Sequence, residues 1–327
     1  MSVATVLRAG MLTTVQDGGR PGYGHVGVSA SGPMDPLGLR LANLLAGNRE
    51  DAAALELTLV GPALLWHRSV RLAVAGAKMS ACIRLPDGSE VELACGCPVE
   101  VPAGSVTDFG EALQGCRSYL AVRGGLGGAV VLGSRSAQPR SGFPGVCGRR
   151  LERGDELELC GEPAECSDEL VVPRWFVRLW DLPVRGLETQ VLRCLPGLHL
   201  AQLDSCSMDW FGNGAFELSS DCDRMGYRLT GPVLSMPTVP QLRSEAVVPG
   251  TLQLSPDGRL LLLMADCAPT GGYPRVGHVI TADLPKAGQL RPGDGVRFRL
   301  VSMEQADQAL AEQERTIAAV RAVLACG

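Results

Sequence analysis

The residues best equipped for chemistry lie in the second half of the chain. Arg224 and Arg228 stand four apart in Ser220-Asp221-Cys222-Asp223-Arg224-Met225-Gly226-Tyr227-Arg228-Leu229. On a helical turn or along a strand that spacing puts both guanidinium groups on one face, within reach of one anion. Asp223 and Asp266 are candidate acid or base groups, their pKa values open to tuning by burial and by those arginines. Thr270, Gly271, Gly272, Tyr273 and Pro274 form a glycine-rich loop, either a plain turn or a cradle whose backbone amides hold a carboxylate or phosphate. Together these groups suit chemistry at an amide, where attack or deprotonation develops negative charge on oxygen that guanidinium or backbone donors stabilise.

Other chemistries find no motif. There is no Gly-x-Ser-x-Gly elbow, and His25, His67, His199 and His278 have no serine or cysteine context that marks a triad. Gly124-Gly125-Leu126-Gly127-Gly128 lacks the lysine and the following helix of a phosphate-binding loop. Any ATP is therefore expected at a shared or partner site. No cysteine pair has the CxxC spacing and the histidines are dispersed, so no metal site is expected.

Composition narrows the class further. The chain of 327 residues is 46% hydrophobic and 20% charged, enough for a sizeable core and for about two domains. Aromatics make up only 4%, against 41 glycines and 22 prolines, which favours short strands of Val, Leu and Ala joined by tight turns. A net charge of −5 argues against nucleic acid and anionic lipid as partners. No run approaches the ~20 apolar residues of a membrane span, and the N-terminus does not read as a signal peptide. The twelve cysteines read as reduced, mostly buried thiols of a cytoplasmic protein.

Two echoes suggest an old duplication. Leu151–Leu159 (LERGDELEL) and Leu290–Phe298 (LRPGDGVRF) share a leucine, a Gly-Asp turn and an alternating strand. Each half also opens on Val-Leu-Arg, at Val6–Arg8 and Val191–Arg193. The expected divisions are 1–185, 186–302 and a C-terminal helix at 303–327, with the boundary of the halves near Pro183–Glu188. Asp35 can cap a helix with Pro36 at its first position, Leu37, Leu41 and Leu44 along one face, and Gly47 as the stop. Met303, Ala306, Leu310, Gln313, Ile317, Val320 and Leu324 form a heptad seam that packs either on the chain's own barrel or on a partner.

Further blocks run in order along the chain. Thr14-Val15-Gln16-Asp17-Gly18-Gly19-Arg20-Pro21-Gly22 reads either as a structural salt bridge or as a loop that approaches a ligand closely. It is followed by Ser31-Gly32-Pro33-Met34-Asp35, Ala54-Leu55-Glu56, Tyr119-Leu120-Ala121-Val122-Arg123-Gly124-Gly125, Gly133-Ser134-Arg135-Ser136 and Gly250-Thr251-Leu252-Gln253. From about Leu7 to Arg299 the set resembles the biotin-dependent carboxyltransferase family of allophanate hydrolase subunit 2, urea amidolyase, the kinase-inhibitor antagonist and the third component of bacterial 5-oxoprolinase. It departs from the family pattern at Ala137 and Leu198.

The resemblance implies two cyclophilin-like β-barrel subdomains, mainly β with few helices. It also implies a substrate site drawing on Asp17, Arg20, Asp35, Arg135, Arg228 and Thr270–Tyr273, with Asp223, Arg224 and Asp266 as catalytic candidates. The leading activity so implied is ATP-dependent opening of the 5-oxoproline lactam, with Mg-bound ATP. The two partner subunits would be of the lactam-utilisation and allophanate hydrolase subunit 1 types. The alternatives are a carboxyltransferase acting on urea or another amide, with biotin on a different chain, and a non-catalytic antagonist of a kinase inhibitor. A free-standing chain of this kind is expected to suit the lactam hydrolase better than a complete carboxylase.

Overall fold

A computed structural model describes residues 2–142, 148–161, 166–177, 189–238 and 242–326. The expected boundary at Pro183–Glu188 lies outside them. The chain is mainly β and divides into two compact units that are each discontinuous in sequence. One comprises Met1–Arg20, Asp35–Leu182 and Ile317–Gly327, the other Pro21–Met34 and Pro183–Thr316.

The first unit is built from β1 (Ser2–Arg8), β2 (Leu12–Gln16), α1 (Pro36–Ala46), β3 (Ala54–Thr58), β4 (Ala63–Trp66), β5 (Val70–Arg84), β6 (Glu90–Glu92), β7 (Pro98–Val101), β8 (Val106–Val122) and β9 (Glu156–Glu158). Its nine strands form one curled sheet in the order β2-β3-β8-β4-β1-β9, with β5 branching from β8 and β6 and β7 pairing with β5. The sheet is open among the described residues, which differs from the closed barrel expected. The two long strands account for the difference. β8 pairs with β5 along most of its length, while its other edge is shared between β4 near the start and β3 near the end.

The helix signals act as their chemistry requires. Asp35 accepts a hydrogen bond from Gly38 N at 2.8 Å, Pro36 occupies the first turn, and Gly47 closes α1 at φ 81°. Gly38 is needed because a Cβ there would meet the Tyr119 ring at 2.8 Å. The buried face runs through Leu37, Leu41 and Leu45, whereas Leu44 is only half-buried. The residues that meet the sheet are Leu39, Leu41, Ala42, Leu45 and Ala46, which cluster with Ala73, Ala75, Tyr119 and Ala121 of β5 and β8. Val320 and Leu324 pack against this same cluster.

The second unit contains β10 (Gln190–Pro196), α2 (Ser205–Asn213), β11 (Phe216–Cys222), β12 (Gly226–Thr230), β13 (Glu245–Ala246), β14 (Thr251–Leu254), β15 (Leu260–Leu263), β16 (Thr270–Gly271), β17 (Arg275–Val279), α3 (Leu284–Gly288), β18 (Gly295–Leu300) and the start of α4 (Met303–Cys326). Seven strands close a barrel in the order β10-β17-β14-β15-β12-β11-β18, the ends joined by a parallel β10–β18 pair. Its core holds Phe211 stacked on Phe298 with ring centroids 5.8 Å apart. Along α4, Ala306 and Ala309 pack with Ile280 and Ala282. The polar seam residue Gln313 donates to the Ala282 carbonyl at 3.3 Å. Ala306, Gln313, Val320 and Leu324 of the seam thus pack within the chain, while Met303 is exposed.

The two Gly-Asp turns match in detail. Asp155 accepts from Glu152 N at 2.8 Å and Asp294 from Arg291 N at 2.9 Å, while Gly154 and Gly293 take φ 91° and 89°. The Val-Leu-Arg strands behave differently, since β1 meets β9 antiparallel and β10 meets β18 parallel.

Candidate functional site

The strongest polar constellation of the second unit forms where the β11–β12 hairpin turns. Asp223 is exposed and shapes the turn, its carboxylate accepting from Met225 N at 2.8 Å and Gly226 N at 3.3 Å. Arg224 is folded inward, 5% exposed, and meets Asp266, also 5% exposed. Its Nε donates to Asp266 Oδ2 at 2.9 Å, and its Nη2 donates to Asp266 Oδ1 at 3.1 Å and to the Gly32 carbonyl at 2.5 Å. The backbones are tied as well, Asp266 N donating to Arg224 O at 2.8 Å.

Ser31 completes the group. Its hydroxyl donates to Asp266 Oδ1 at 2.7 Å from a left-handed backbone at φ 54°, a conformation uncommon for a residue other than glycine. The sequence shows Ser31 within a motif but does not single it out, because nothing local links it to a residue 235 positions away.

Arg228 is not brought to this pair. Along β12 buried Tyr227 and Leu229 flank exposed Arg228, so the strand's alternation turns that guanidinium outward. The equivalence drawn from the i, i+4 spacing breaks down because the turn after Asp223 separates the two arginines into different local structures.

Thr270 and Gly271 form β16, paired with Ala246 and Glu245 of β13, and Gly272 and Tyr273 follow as an exposed loop. A Cβ at Gly271 would come within 2.5 Å of Gln253 Nε2. Gln253 is 4% exposed, and its Nε2 has no hydrogen-bond acceptor among the described residues. Like Ser31, it stands within a block that the sequence shows, Gly250-Thr251-Leu252-Gln253, but is not singled out there. Cys267 beside Asp266 is not a ready nucleophile, since burial first and the Asp266 charge second push its thiol up to about 11. His199 has a structural role, its Nδ1 accepting from Arg275 N at 3.1 Å.

In the first unit, Asp17 sits in a cage of neutral donors. Its carboxylate accepts from Ser134 Oγ at 2.5 Å, Ser136 Oγ at 2.7 Å, Arg135 N at 2.5 Å and Gly19 N at 2.9 Å. Arg20 is 1% exposed and its Nη2 donates to the Ser136 carbonyl. The Gln-Asp-Gly-Gly-Arg and Gly-Ser-Arg-Ser blocks are therefore one interlocked structure, with the Arg135 side chain projecting from it. Asp35 is fully buried as the cap of α1, and its N–H donates to the Tyr119 hydroxyl at 2.8 Å. That hydroxyl donates to Glu56 at 2.7 Å. Burial, then the Glu56 and Asp35 charges, hold the phenol well above its ordinary range.

Gly124–Gly128 leads into the Val131–Ser134 turn and not into a helix, and no group of three His, Cys, Asp or Glu among the described residues could hold a metal ion. No helix of the structure is long and apolar enough to cross a membrane.

This arrangement of strands and blocks has known counterparts. Residues 26–300 match the family model described as carboxyltransferase domain, subdomain A and B, and the chain belongs to that family. Among its relatives, the C subunit of 5-oxoprolinase from Escherichia coli (strain K12) is 36% identical over 95% of both chains, and the C subunit of 5-oxoprolinase from Haemophilus influenzae is 31% identical over 95% of both. The crystal structure of the K. lactis urea amidolyase superposes with a TM-score of 0.85 at 31% identity. That match covers 97% of this chain and only 20% of the amidolyase.

Proposed function

We propose that this chain is the carboxyltransferase-family subunit of a multisubunit 5-oxoprolinase, opening the 5-oxoproline lactam to L-glutamate with hydrolysis of ATP. The supporting observation is the end-to-end similarity to proteins named as the C subunit of that enzyme, 95% of each chain being covered. In this reading 1–185 and 186–302 are the two cyclophilin-like subdomains, and 303–327 is an appended helix. The partners are a lactam-utilisation-type subunit and an allophanate hydrolase subunit 1-type subunit. The nucleotide is assigned to a shared or partner site.

Asp266 serves as the acid or base, Arg224 orients it through two hydrogen bonds, and Asp223 sets the turn that presents Arg224. Asp17, Arg20, Asp35, Arg135, Arg228 and Thr270–Tyr273 serve substrate binding, Asp17 and Asp35 through the backbone and side chains they fix. Ser31 is the group from which Asp266 can take a proton directly, at 2.7 Å. Reaction at the lactam carbonyl places negative charge on its oxygen, which buried hydrogen-bond donors such as the Gln253 amide would stabilise.

A second reading, a carboxyltransferase acting on urea with biotin on another chain, draws on the superposition with urea amidolyase. Both are tested by assaying the chain alone and with the products of its two neighbouring genes, measuring glutamate and ADP. Glutamate and ADP should appear in step only with all three present. Robust glutamate formation by the single chain would refute the multisubunit assignment, and biotin-dependent carboxylation of urea by the complex would select the second reading.

A further inference from the structure

A cavity of about 600 Å³ within the first unit is lined by Asp17, Asn48, Arg49, Asp51, Arg123 and Arg135, with Gly124, Gly125 and Cys160 completing its wall. It gathers three guanidinium groups and two carboxylates, and the pairing between them is uneven. Arg49 and Asp51 form a two-point ion pair, with Nε–Oδ1 and Nη2–Oδ2 both at 3.1 Å. The Asp17 carboxylate is saturated by the two serine hydroxyls and two backbone amides described above. Both acidic groups are thereby committed, whereas Arg123 and Arg135 line the same cavity without such partners among the described residues.

Among the described residues neither guanidinium is paired with a carboxylate. Among the described residues the Arg123 guanidinium makes no hydrogen bond or ion pair. Arg135 donates from Nη2 to Cys160 Sγ at 3.1 Å, a weak acceptor, while its buried Nε has no acceptor among the described residues. The edge of a guanidinium bearing Nε and Nη2 is the one that grips a carboxylate or phosphate through two parallel hydrogen bonds. On Arg135 that edge holds only a thiol.

Both arginines are held at their backbones. Arg135 N is fixed by Asp17 Oδ2, and the Gly133 that precedes this block takes φ 80° in the tight Val131–Ser134 turn. Arg123 N donates to Arg71 O at 2.8 Å. Asn48 secures the next step, accepting from Gly124 N at 2.8 Å and donating to Val122 O at 2.8 Å. Donors fixed in advance lose less freedom when they bind a ligand. The Asp17 cage is thus a device for presenting Arg135, a purpose that a merely structural loop would not need.

We infer that Arg123 and Arg135 form a binding site for a small oxyanion, the carboxylate of an amide substrate or product or an inorganic phosphate group. The inference deepens the assignment of Arg135 to substrate binding and rests on that reading only for which anion is taken. Binding is therefore read on the isolated full-length chain, so it can fail while the three-component glutamate assay succeeds, and the reverse.

The test is calorimetric titration with 5-oxoproline, L-glutamate, bicarbonate and inorganic phosphate, with chloride at matched ionic strength as the control. At least one oxyanion should bind saturably. 5-Oxoproline or glutamate binding would identify a substrate carboxylate as the occupant, and phosphate alone a phosphate group. Arg123→Gln and Arg135→Gln should each weaken binding by about tenfold or more, the loss expected for a charge-assisted donor pair. Arg49→Gln, whose guanidinium is engaged by Asp51, should change it less than about threefold. Far-UV circular dichroism checks each fold, and if Arg135→Gln does not fold, the Arg123→Gln titration decides alone. No saturable binding beyond the chloride control, or affinity unchanged by Arg123→Gln, would overturn the site.

Discussion

Asp17 and Asp266 are two nearly buried carboxylates held by opposite means. Asp17, in the first unit, is held by two serine hydroxyls and two backbone amides and has no guanidinium on its carboxylate among those bonds. Asp266, in the second, is held by the Arg224 guanidinium and one serine hydroxyl. The neutral cage spreads the charge over many dipoles, each contributing modestly, and fixes a loop. The ion pair concentrates it on one partner, whose loss leaves a charge buried alone. The first suits a scaffold that presents another side chain, the second a carboxylate whose orientation depends on a single partner.

The largest effect should come from breaking the ion pair. Arg224→Ala is expected to lose about 3–5 kcal/mol of unfolding free energy, because Asp266 is left without its counter-charge. Arg224→Met with Asp266→Leu should recover much of that stability and none of the activity of the assembled enzyme. Denaturant unfolding and turnover on the same preparations distinguish the two roles. An Arg224→Ala protein of normal stability with turnover lowered about a hundredfold would make the arginine a transition-state donor rather than a holder of Asp266.

The neutral cage should yield less. Ser136→Ala removes the hydroxyl's hydrogen bond to the Asp17 carboxylate, worth about 1.5–3 kcal/mol, together with the one it accepts from Asp17 N, and the loss should persist in high salt, unlike that of an exposed ion pair. Denaturant midpoints at low and high ionic strength measure it. A loss that vanishes with salt would mean that long-range charge and not the hydroxyl secures Asp17.

The smallest effect is a slope with pH, and it extends the comparison to a third carboxylate. Asp283 is fully buried, and burial pushes its pKa up. The side-chain hydrogen bonds from Arg193, at 3.0 and 2.7 Å, and that from Arg193 N, at 2.8 Å, outweigh burial and bring the pKa below its ordinary 3.8. A depressed carboxylate pKa contributes stability that is fully present above the unfolded value and is lost as pH falls through the folded one. Wild-type stability should therefore decline as pH falls below about 4, and Asp283→Asn, less stable at neutral pH, should show a shallower decline. Equal slopes would remove Asp283 from the acid response.

What could be read from the sequence follows the range of the interaction. The cap at Asp35, Pro36 and the stop at Gly47 are local chemistry, and the helix formed between them. The paired Gly-Asp turns and the α4 seam, including the one polar position at Gln313, likewise depend on neighbours a few residues away. The choice of Leu45 over Leu44 depended on the sheet beneath, which no helix pattern encodes. Arg224 and Arg228 were joined by spacing alone, and a turn of three residues set one inward and one outward. Ser31 and Gln253 gain their interest from partners or spaces distant in the chain. The Gln-Asp-Gly-Gly-Arg and Gly-Ser-Arg-Ser blocks were each visible, but their mutual engagement across more than a hundred residues was not.

The hydrogen bond from Ser31 to Asp266 spans 235 positions, and the segment Pro21–Met34 that carries Ser31 is counted with the second unit. On a ribosome this segment emerges early and must remain without its barrel until the strands through β18 have been made. Closing so long a loop adds little to its entropic cost, which grows only with the logarithm of length, but it delays completion until the last partner arrives. Asp266 therefore acquires its hydroxyl neighbour only near the end of synthesis, and truncated translation products carry an unfinished acid–base group. An expression clone limited to the second half would likewise lack Ser31 and Gly32, however well its barrel closed.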